Sequence, residues 1–245
     1  NYGPIQSFLP PMSDLGNAAT KKQLRRHLLK ARLALGVEDW RERSDRLCNH
    51  LAQFLQQGAS QLNDCPSSPN PFSHKGEKGS FQSEIHPLQQ AKTVCAYHSF
   101  RQEPDLTPLF QTLGITWGLP RCVGADLQWH RWQWGDKLQP GQYGILEPDP
   151  QLPQLSPTEV DLILVPSVGG DQRGYRLGYG GGYYDRMLSQ PAWQKISTLG
   201  ILFDFALWDH LPHDPWDRPL TGFCTETGPQ SKSPQSKNPQ PKSPP

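Results

Sequence analysis

The sequence predicts an α/β domain built on a mainly parallel sheet, and three observations carry the prediction. Short apolar runs alternate along the chain with segments whose apolar residues recur at helical spacing, the pattern of a layered α/β sheet. The most apolar run, Val160–Val168 (VDLILVPSV), is continuous rather than alternating, as a central strand covered on both faces requires. Proline is unevenly spread: 13 of the 26 lie in 1–20, 57–90 and 228–245. The 35% hydrophobic content, low for a chain of 245 residues, therefore describes those three segments more than the remainder. We expect one domain over 20–227, a disordered N-terminal extension (1–19), a low-complexity insertion (57–90) and a disordered tail (228–245). Met12 offers a start that would make the first eleven residues an upstream extension.

The elements follow in order. Thr20 suits an N-cap, with Gln23 completing a capping box, and Leu24, Leu28, Ala31 and Leu35 form one stripe up to a stop at Gly36. A second helix is expected over Glu38–Gln56, with Trp40, Leu47, Leu51 and Phe54 or Leu55 as its apolar face. Beyond the insertion, a strand is expected at Thr93–His98, a helix at Asp105–Leu113 and strands at Ile115–Pro120 and 127–134. Trp129, Trp132 and Trp134 in the last of these read as core or sheet surface. The buried strand Val160–Val168 runs into a glycine-rich loop and a helix, and strands at Ser197–Phe205 and Leu220–Thr225 complete the sheet.

Charge and cysteine usage exclude several classes. A net charge of +1 leaves no electrostatic footprint for nucleic acid, and removing the tail with its Lys232, Lys237 and Lys242 brings the balance to −2. No apolar run approaches the roughly 20 residues of a membrane span. No basic-then-apolar secretory pattern opens the chain. The five cysteines (48, 65, 95, 122 and 224) are odd in number and include no C-x-x-C pair, so reduced, buried thiols and a cytoplasmic location are expected.

Seven of the 22 glycines lie within 169–182, directly after the buried strand. Ligands of open α/β sheets sit outside the carboxyl ends of the strands. Glycine lets the backbone approach a phosphate with several N–H groups, a helix N-terminus favours the same anion, and Arg176 adds a planar fork. The loop is neither a Walker loop, since Tyr175–Arg176 follow Gly174, nor a dinucleotide fingerprint, since Tyr183 stands where the third glycine belongs. At about 100° per residue, Lys21, Arg25 and Arg32 share one row bordered by leucines, while Lys22, Arg26 and Lys30 face away. Without further context either row could be an ordinary solvated face.

Arg176–Arg186 (RLGYGGGYYDR), following the strand DLILVP, resembles the 5-formyltetrahydrofolate cyclo-ligase (5,10-methenyltetrahydrofolate synthetase) family. Lys21–Arg25 (KKQLR), with Arg32 beyond, is similar to that family's basic N-terminal helix. Ala96–His98 with Glu103–Asp105, Gly144–Pro148 (GILEP), and Leu211–Pro212, Asp217 and Thr225–Glu226 resemble further family segments. The resemblance covers roughly 20–56 and 91–228. It departs at Ser167, where glycine is usual, at Gly170, where a large apolar residue is usual, and at Ala206, where many members carry glutamine.

The resemblance implies a single-domain, three-layer, NagB/RpiA/CoA-transferase-like fold. It implies an ATP- and Mg²⁺-dependent conversion of 5-formyltetrahydrofolate to 5,10-methenyltetrahydrofolate. A monomer is expected, and charge and hydropathy leave no nucleic-acid or membrane partner. It assigns ATP to Lys21, Lys22, Gln23, Leu24, Arg25, Arg176, Leu177, Gly178, Tyr179, Gly180, Gly181, Gly182, Tyr183 and Tyr184. It assigns the reduced folate to His98, Glu103 and residues Tyr179, Gly180, Gly181, Gly182 and Tyr183, and Mg²⁺ to Asp185 and Asp217. A carboxylate beside phosphate is repulsive unless a cation lies between, which suits Asp185 and Asp217 to that role. No side-chain nucleophile is expected, because the chemistry is positioning and charge neutralisation. The alternatives are a non-catalytic folate- or nucleotide-binding protein on the same fold, suggested by residues 167, 170 and 206, and an unrelated small-molecule kinase using the same loop.

Overall fold

The structure, a computed structural model, describes residues 17–56 and 91–231. Two helices open it, α1 (Asn17–Leu33) and α2 (Val37–Gln56). α1 begins three residues ahead of the expected cap, so Thr20 is a buried residue of the first turn and the expected N-terminal extension ends before Asn17. Next come β1 (Thr93–Cys95), α3 (Thr107–Thr112), β2 (Thr116–Val123), β3 (Asp126–Trp132), β4 (Leu138–Pro140), β5 (Leu146–Pro148) and β6 (Leu162–Pro166). The chain closes with β7 (Gly169–Asp171), β8 (Arg176–Leu177), α4 (Tyr183–Ser189), β9 (Ser197–Ile201), β10 (Leu207–Trp208), β11 (Gly222–Thr225) and β12 (Gly228–Ser231).

Seven strands form the main sheet in the order β12-β11-β9-β6-β1-β2-β3. The five inner strands run parallel and the two edges, β3 and β12, are antiparallel to their neighbours. β6 is central and buried on both faces, as its continuous apolar run requires. Leu162 and Leu164 join the core made with α2 and α3, while Ile163 and Val165 join the core made with α1 and α4. Two apolar layers against one sheet make the three-layer α/β domain that the sequence implied. Trp129 and Trp132 are core residues, and Trp134 lies exposed just past β3.

Three expectations are corrected. Gly228–Ser231 pair with β11 through a tight hairpin, so the chain stays folded four residues into the expected tail. The long run at 160–168 gives only the five-residue β6. The glycines after it begin with a hairpin, β7–β8, which joins β10 in a separate small sheet. The expected strands at 93–98 and 197–205 stop at Cys95 and Ile201, where the chain turns into the loops that wall the cleft and, at Asp204–Ala206, into a short 3-10 turn. The expected insertion and the rest of the tail lie outside the described residues.

Candidate active site

A cleft of about 930 Å³ opens beyond the carboxyl ends of three parallel strands. Tyr97 and His98 follow β1, Pro120 and Cys122 lie in the carboxyl half of β2, and Pro166 ends β6. Its second wall is the glycine segment from Arg176 to Arg186. Its third wall is α1, which contributes Lys21 and Arg25, together with Asp214 and Asp217.

The glycine wall is shaped by backbone that only glycine adopts readily. Gly180 (φ 101°) and Gly182 (φ 71°) lie in the left-handed region, and Gly182 is the residue from which α4 starts. Arg176 points under this loop, almost fully buried. Its guanidinium pairs with Asp185 at 2.9 Å and lies over the Tyr184 ring at 5.4 Å. Its Nε has no partner among the described residues. Tyr183 packs beside Arg186 and donates to the Gly124 carbonyl at 3.2 Å.

α1 delivers the inner basic row. Lys21 donates to Asp214 at 2.6 Å and also to Asp217. Burial pulls its ammonium pKa down, but the bonds and charges of the two carboxylates outweigh that and hold it above its ordinary value. Arg25 donates from Nε to the Gly178 carbonyl at 2.6 Å, and its pKa is lowered by burial, with Asp217 opposing. The two carboxylates expected as magnesium ligands thus each face one of the expected phosphate-binding cations. No group of three His, Cys, Asp or Glu side chains able to hold a metal occurs among the described residues. Magnesium that keeps waters and substrate phosphates in its shell needs only one or two carboxylates, so Asp185 and Asp217 fit that mode and not a dedicated cage.

Glu103 forms the floor of the first wall. It is 3% exposed and accepts the Phe100 N–H at 3.0 Å. Burial pushes its carboxyl pKa up to about 7, against the charge of Arg32 and the bonds from Phe100 and Tyr179. Glu147 of β5 is also buried, accepts the Cys122 N–H at 3.0 Å and pairs with Arg121, which fixes the β4–β5 arm beside the cleft.

Most of the expected residues meet here: Lys21, Arg25, His98, Glu103, the whole run Arg176–Asp185 and Asp217 all line the cleft. Three do not. Leu24 is a core residue, and Lys22 and Gln23 lie on the exposed side of α1. Sequence reasoning missed Asp214, which shares Lys21 with Asp217, and gave Arg32, which reaches Tyr179 from behind the wall, a place in the basic row but no role in the site. A shared row with Lys21 and Arg25 was the one available signal for Arg32. The departures from the family pattern lie outside the cleft lining. Ser167 is buried with its hydroxyl bonded to the Val165 carbonyl at 3.1 Å, and Ala206 is a core residue. A side chain at Gly170 would meet the Phe223 ring at 2.4 Å, so Phe223 occupies the room a larger residue would need.

Cations, glycine backbone and buried carboxyl groups thus converge outside the strand ends of an α/β sheet, where such folds place their ligand sites. Comparison with known proteins gives the particular group. The profile of the 5-formyltetrahydrofolate cyclo-ligase family matches residues 73–226. A 5-formyltetrahydrofolate cyclo-ligase of Mycolicibacterium smegmatis is 35% identical over 144 residues, covering 55% of this chain and 73% of that protein. The one from Haemophilus influenzae is 30% identical over 161 residues, covering 60% of this chain and 83% of that protein. The NMR structure of the Aquifex aeolicus 5,10-methenyltetrahydrofolate synthetase matches with a TM-score of 0.66 and 28% identity over 91% of this chain and 98% of that one. The chain belongs to the 5-formyltetrahydrofolate cyclo-ligase family. Among the described residues no helix is long and apolar enough to cross a membrane.

Proposed function

We propose that the cleft converts 5-formyltetrahydrofolate to 5,10-methenyltetrahydrofolate at the expense of ATP, releasing ADP and phosphate. The observation that carries this reading is one cleft with Lys21, Arg25, Arg176 and a glycine backbone on two walls and a buried carboxyl group, Glu103, on another. The N5-formyl group is an amide whose oxygen leaves poorly. Transfer of the γ-phosphoryl group to that oxygen makes it a good leaving group. N10 then attacks the formyl carbon and loses its proton, the C–N10 bond closes the ring, and the C–O bond breaks with phosphate departing.

The chain's own residues bind and orient. The inner row of α1, Arg176 and the loop amides hold the transferring charge, which is where preorganised donors accelerate phosphoryl transfer. Asp185 and Asp217 would hold Mg²⁺, which supplies further neutralisation of the phosphates when bound. Before phosphate arrives these carboxylates balance Arg176 and Lys21, and the cations then exchange a carboxylate partner for a phosphate one. Ionised Glu103 accepts hydrogen bonds from the pterin's amino and ring N–H groups, with His98 beside it. The four cysteines of the described residues are free thiols, which suits the cytoplasm.

One incubation with 5-formyltetrahydrofolate and Mg-ATP tests the reading through the absorbance of the methenyl product. Methenyl product formed one-for-one with ADP is expected. Folate binding without turnover, or ATP consumption only with another acceptor, would replace this function.

A further inference from the structure

We propose that Arg32 is a positioning residue that locks two walls of the cleft together. Its guanidinium joins the Tyr179 hydroxyl of the glycine loop to the Arg101 carbonyl of the segment that carries Glu103. As a claim about turnover this rests on the function proposed above; as a claim about geometry it does not.

Arg32 lies in the last turn of α1, three turns beyond Lys21 on the same row, yet it does not line the cleft. It is 4% exposed. Its Nε donates to the Arg101 carbonyl at 3.0 Å, its Nη2 donates to the Tyr179 hydroxyl, and Cζ lies 5.6 Å from the centre of the Tyr179 ring. Among the described residues no carboxylate pairs with it directly and Nη1 has no partner. A buried cation so poorly compensated is a costly way to fill a helix position that borders leucines, and an apolar residue would serve stability better. What the guanidinium does instead is bridge two segments 78 residues apart in sequence, Arg101 and Tyr179.

Both segments need holding. Arg101 (φ 49°) and Gln102 (φ 55°) are consecutive left-handed residues, neither of them glycine, and such backbone persists only where its surroundings over-determine it. Besides Arg32, this segment is held by the Phe100 N–H to the Glu103 carboxylate at 3.0 Å, the Glu103 N–H to the Phe100 carbonyl at 3.1 Å, Gln102 to the Leu35 carbonyl at 3.4 Å, Ser99 to the Glu103 carbonyl at 2.8 Å and the Trp40 indole to the same carbonyl at 2.9 Å. Tyr179 sits in the glycine loop, where Arg25 holds the Gly178 carbonyl at 2.6 Å, the Tyr179 ring meets Phe100 at 6.3 Å between centres, and Arg32 holds the Tyr179 hydroxyl. The groups facing Glu103 are Arg32 from α1, Tyr179 from the loop, Tyr97 from beyond β1 and Tyr184 from α4. Arg32 alone among them is a cation, so it favours the Glu103 carboxylate against burial.

The test uses the full-length protein labelled with ¹³C at the glutamate side-chain carboxyls, with Glu103→Gln to assign the resonance. In Arg32→Met the Glu103 midpoint moves up by about one pH unit, as loss of a neighbouring opposite charge requires. The low-pH limb of kcat/KM moves with it, and the KM values for formyl folate and ATP rise together. Arg32→Lys keeps the midpoint near the wild-type position but not the two KM values, because an ammonium lacks the fork. Tyr179→Phe removes the loop end of the tie without touching α1 and also raises both KM values, which tests the tie even if Arg32→Met fails to fold. A purely structural role would lower Tm and the active fraction while leaving both KM values in place, even with the midpoint moved by the lost charge, and that result overturns the proposal. So does an Arg32→Lys variant with wild-type KM values. Failure of the function itself would appear as a wild-type protein without turnover, with the carboxyl titration still reading the tie.

Discussion

α1 carries six lysines and arginines, and the helix sends three inward and three outward. Lys21, Arg25 and Arg32 are wholly or partly buried, and each is committed to a different distant segment: Asp214 and Asp217, the Gly178 carbonyl, and Tyr179 with Arg101. Lys22, Arg26 and Lys30, one or two residues away, lie exposed. Lysine and arginine occur on both faces, one and two inside and two and one outside, so being basic does not decide which face a residue takes. Register against the leucine stripe decides: a cation that borders Leu24 and Leu28 is carried to the cleft edge with them, where desolvation raises the value of every charge it meets.

The comparison is broken most severely by removing what the inner row works with. Arg176→Ala and Asp185→Ala are each expected to lower kcat by roughly 10³-fold or more while circular dichroism shows a folded protein. Retained turnover in both would detach the glycine loop from the chemistry. Glu103→Gln is expected to cost about 10- to 100-fold in kcat/KM, the range for a hydrogen bond to a charged group. In the wild type kcat/KM should rise with pH through about 7 and then level, because only the carboxylate accepts from the pterin, and the limb should vanish in Glu103→Gln. Stability should change in the opposite sense. The folded pKa lies above the usual carboxylate value, so the stability this group contributes is complete at low pH and is lost as pH rises through about 7. Thermal melts of Glu103→Gln should lack that loss.

Arg25→Ala against Arg26→Ala sharpens the comparison directly. The inner variant should raise the KM for ATP roughly tenfold, and the outer one should stay within about 0.5 kcal/mol of wild type in stability and within twofold in KM. Away from the cleft, Gly170→Leu restores the side chain usual in the family but drives it into Phe223, so unfolding free energy should fall by about 1–3 kcal/mol in denaturant titration.

Much of this was legible in the sequence where the signal was local. The continuous run of β6 announced a strand with two covered faces, and the row of Lys21, Arg25 and Arg32 followed from helical spacing. The hairpin β7–β8 was not legible, because its strands are three and two residues long and glycine-rich, too short for any periodicity. The pairing of Lys21 with Asp214 and Asp217 spans more than 190 residues, and nothing near either end encodes it. Glu103 was named by resemblance alone. Its burial is created by α1, α2 and the glycine loop closing over a strained turn, and a window around residue 103 contains none of those.

Isotope transfer tests the central claim most directly. With ¹⁸O in the N5-formyl oxygen of the substrate and unlabelled Mg-ATP, phosphorylation of that oxygen and ring closure by N10 put one ¹⁸O into each phosphate released with methenyl product. Mass spectrometry of the phosphate should show that one-for-one transfer. Unlabelled phosphate accompanying methenyl product, or ATP turnover with the formyl oxygen still on the folate, would contradict the account.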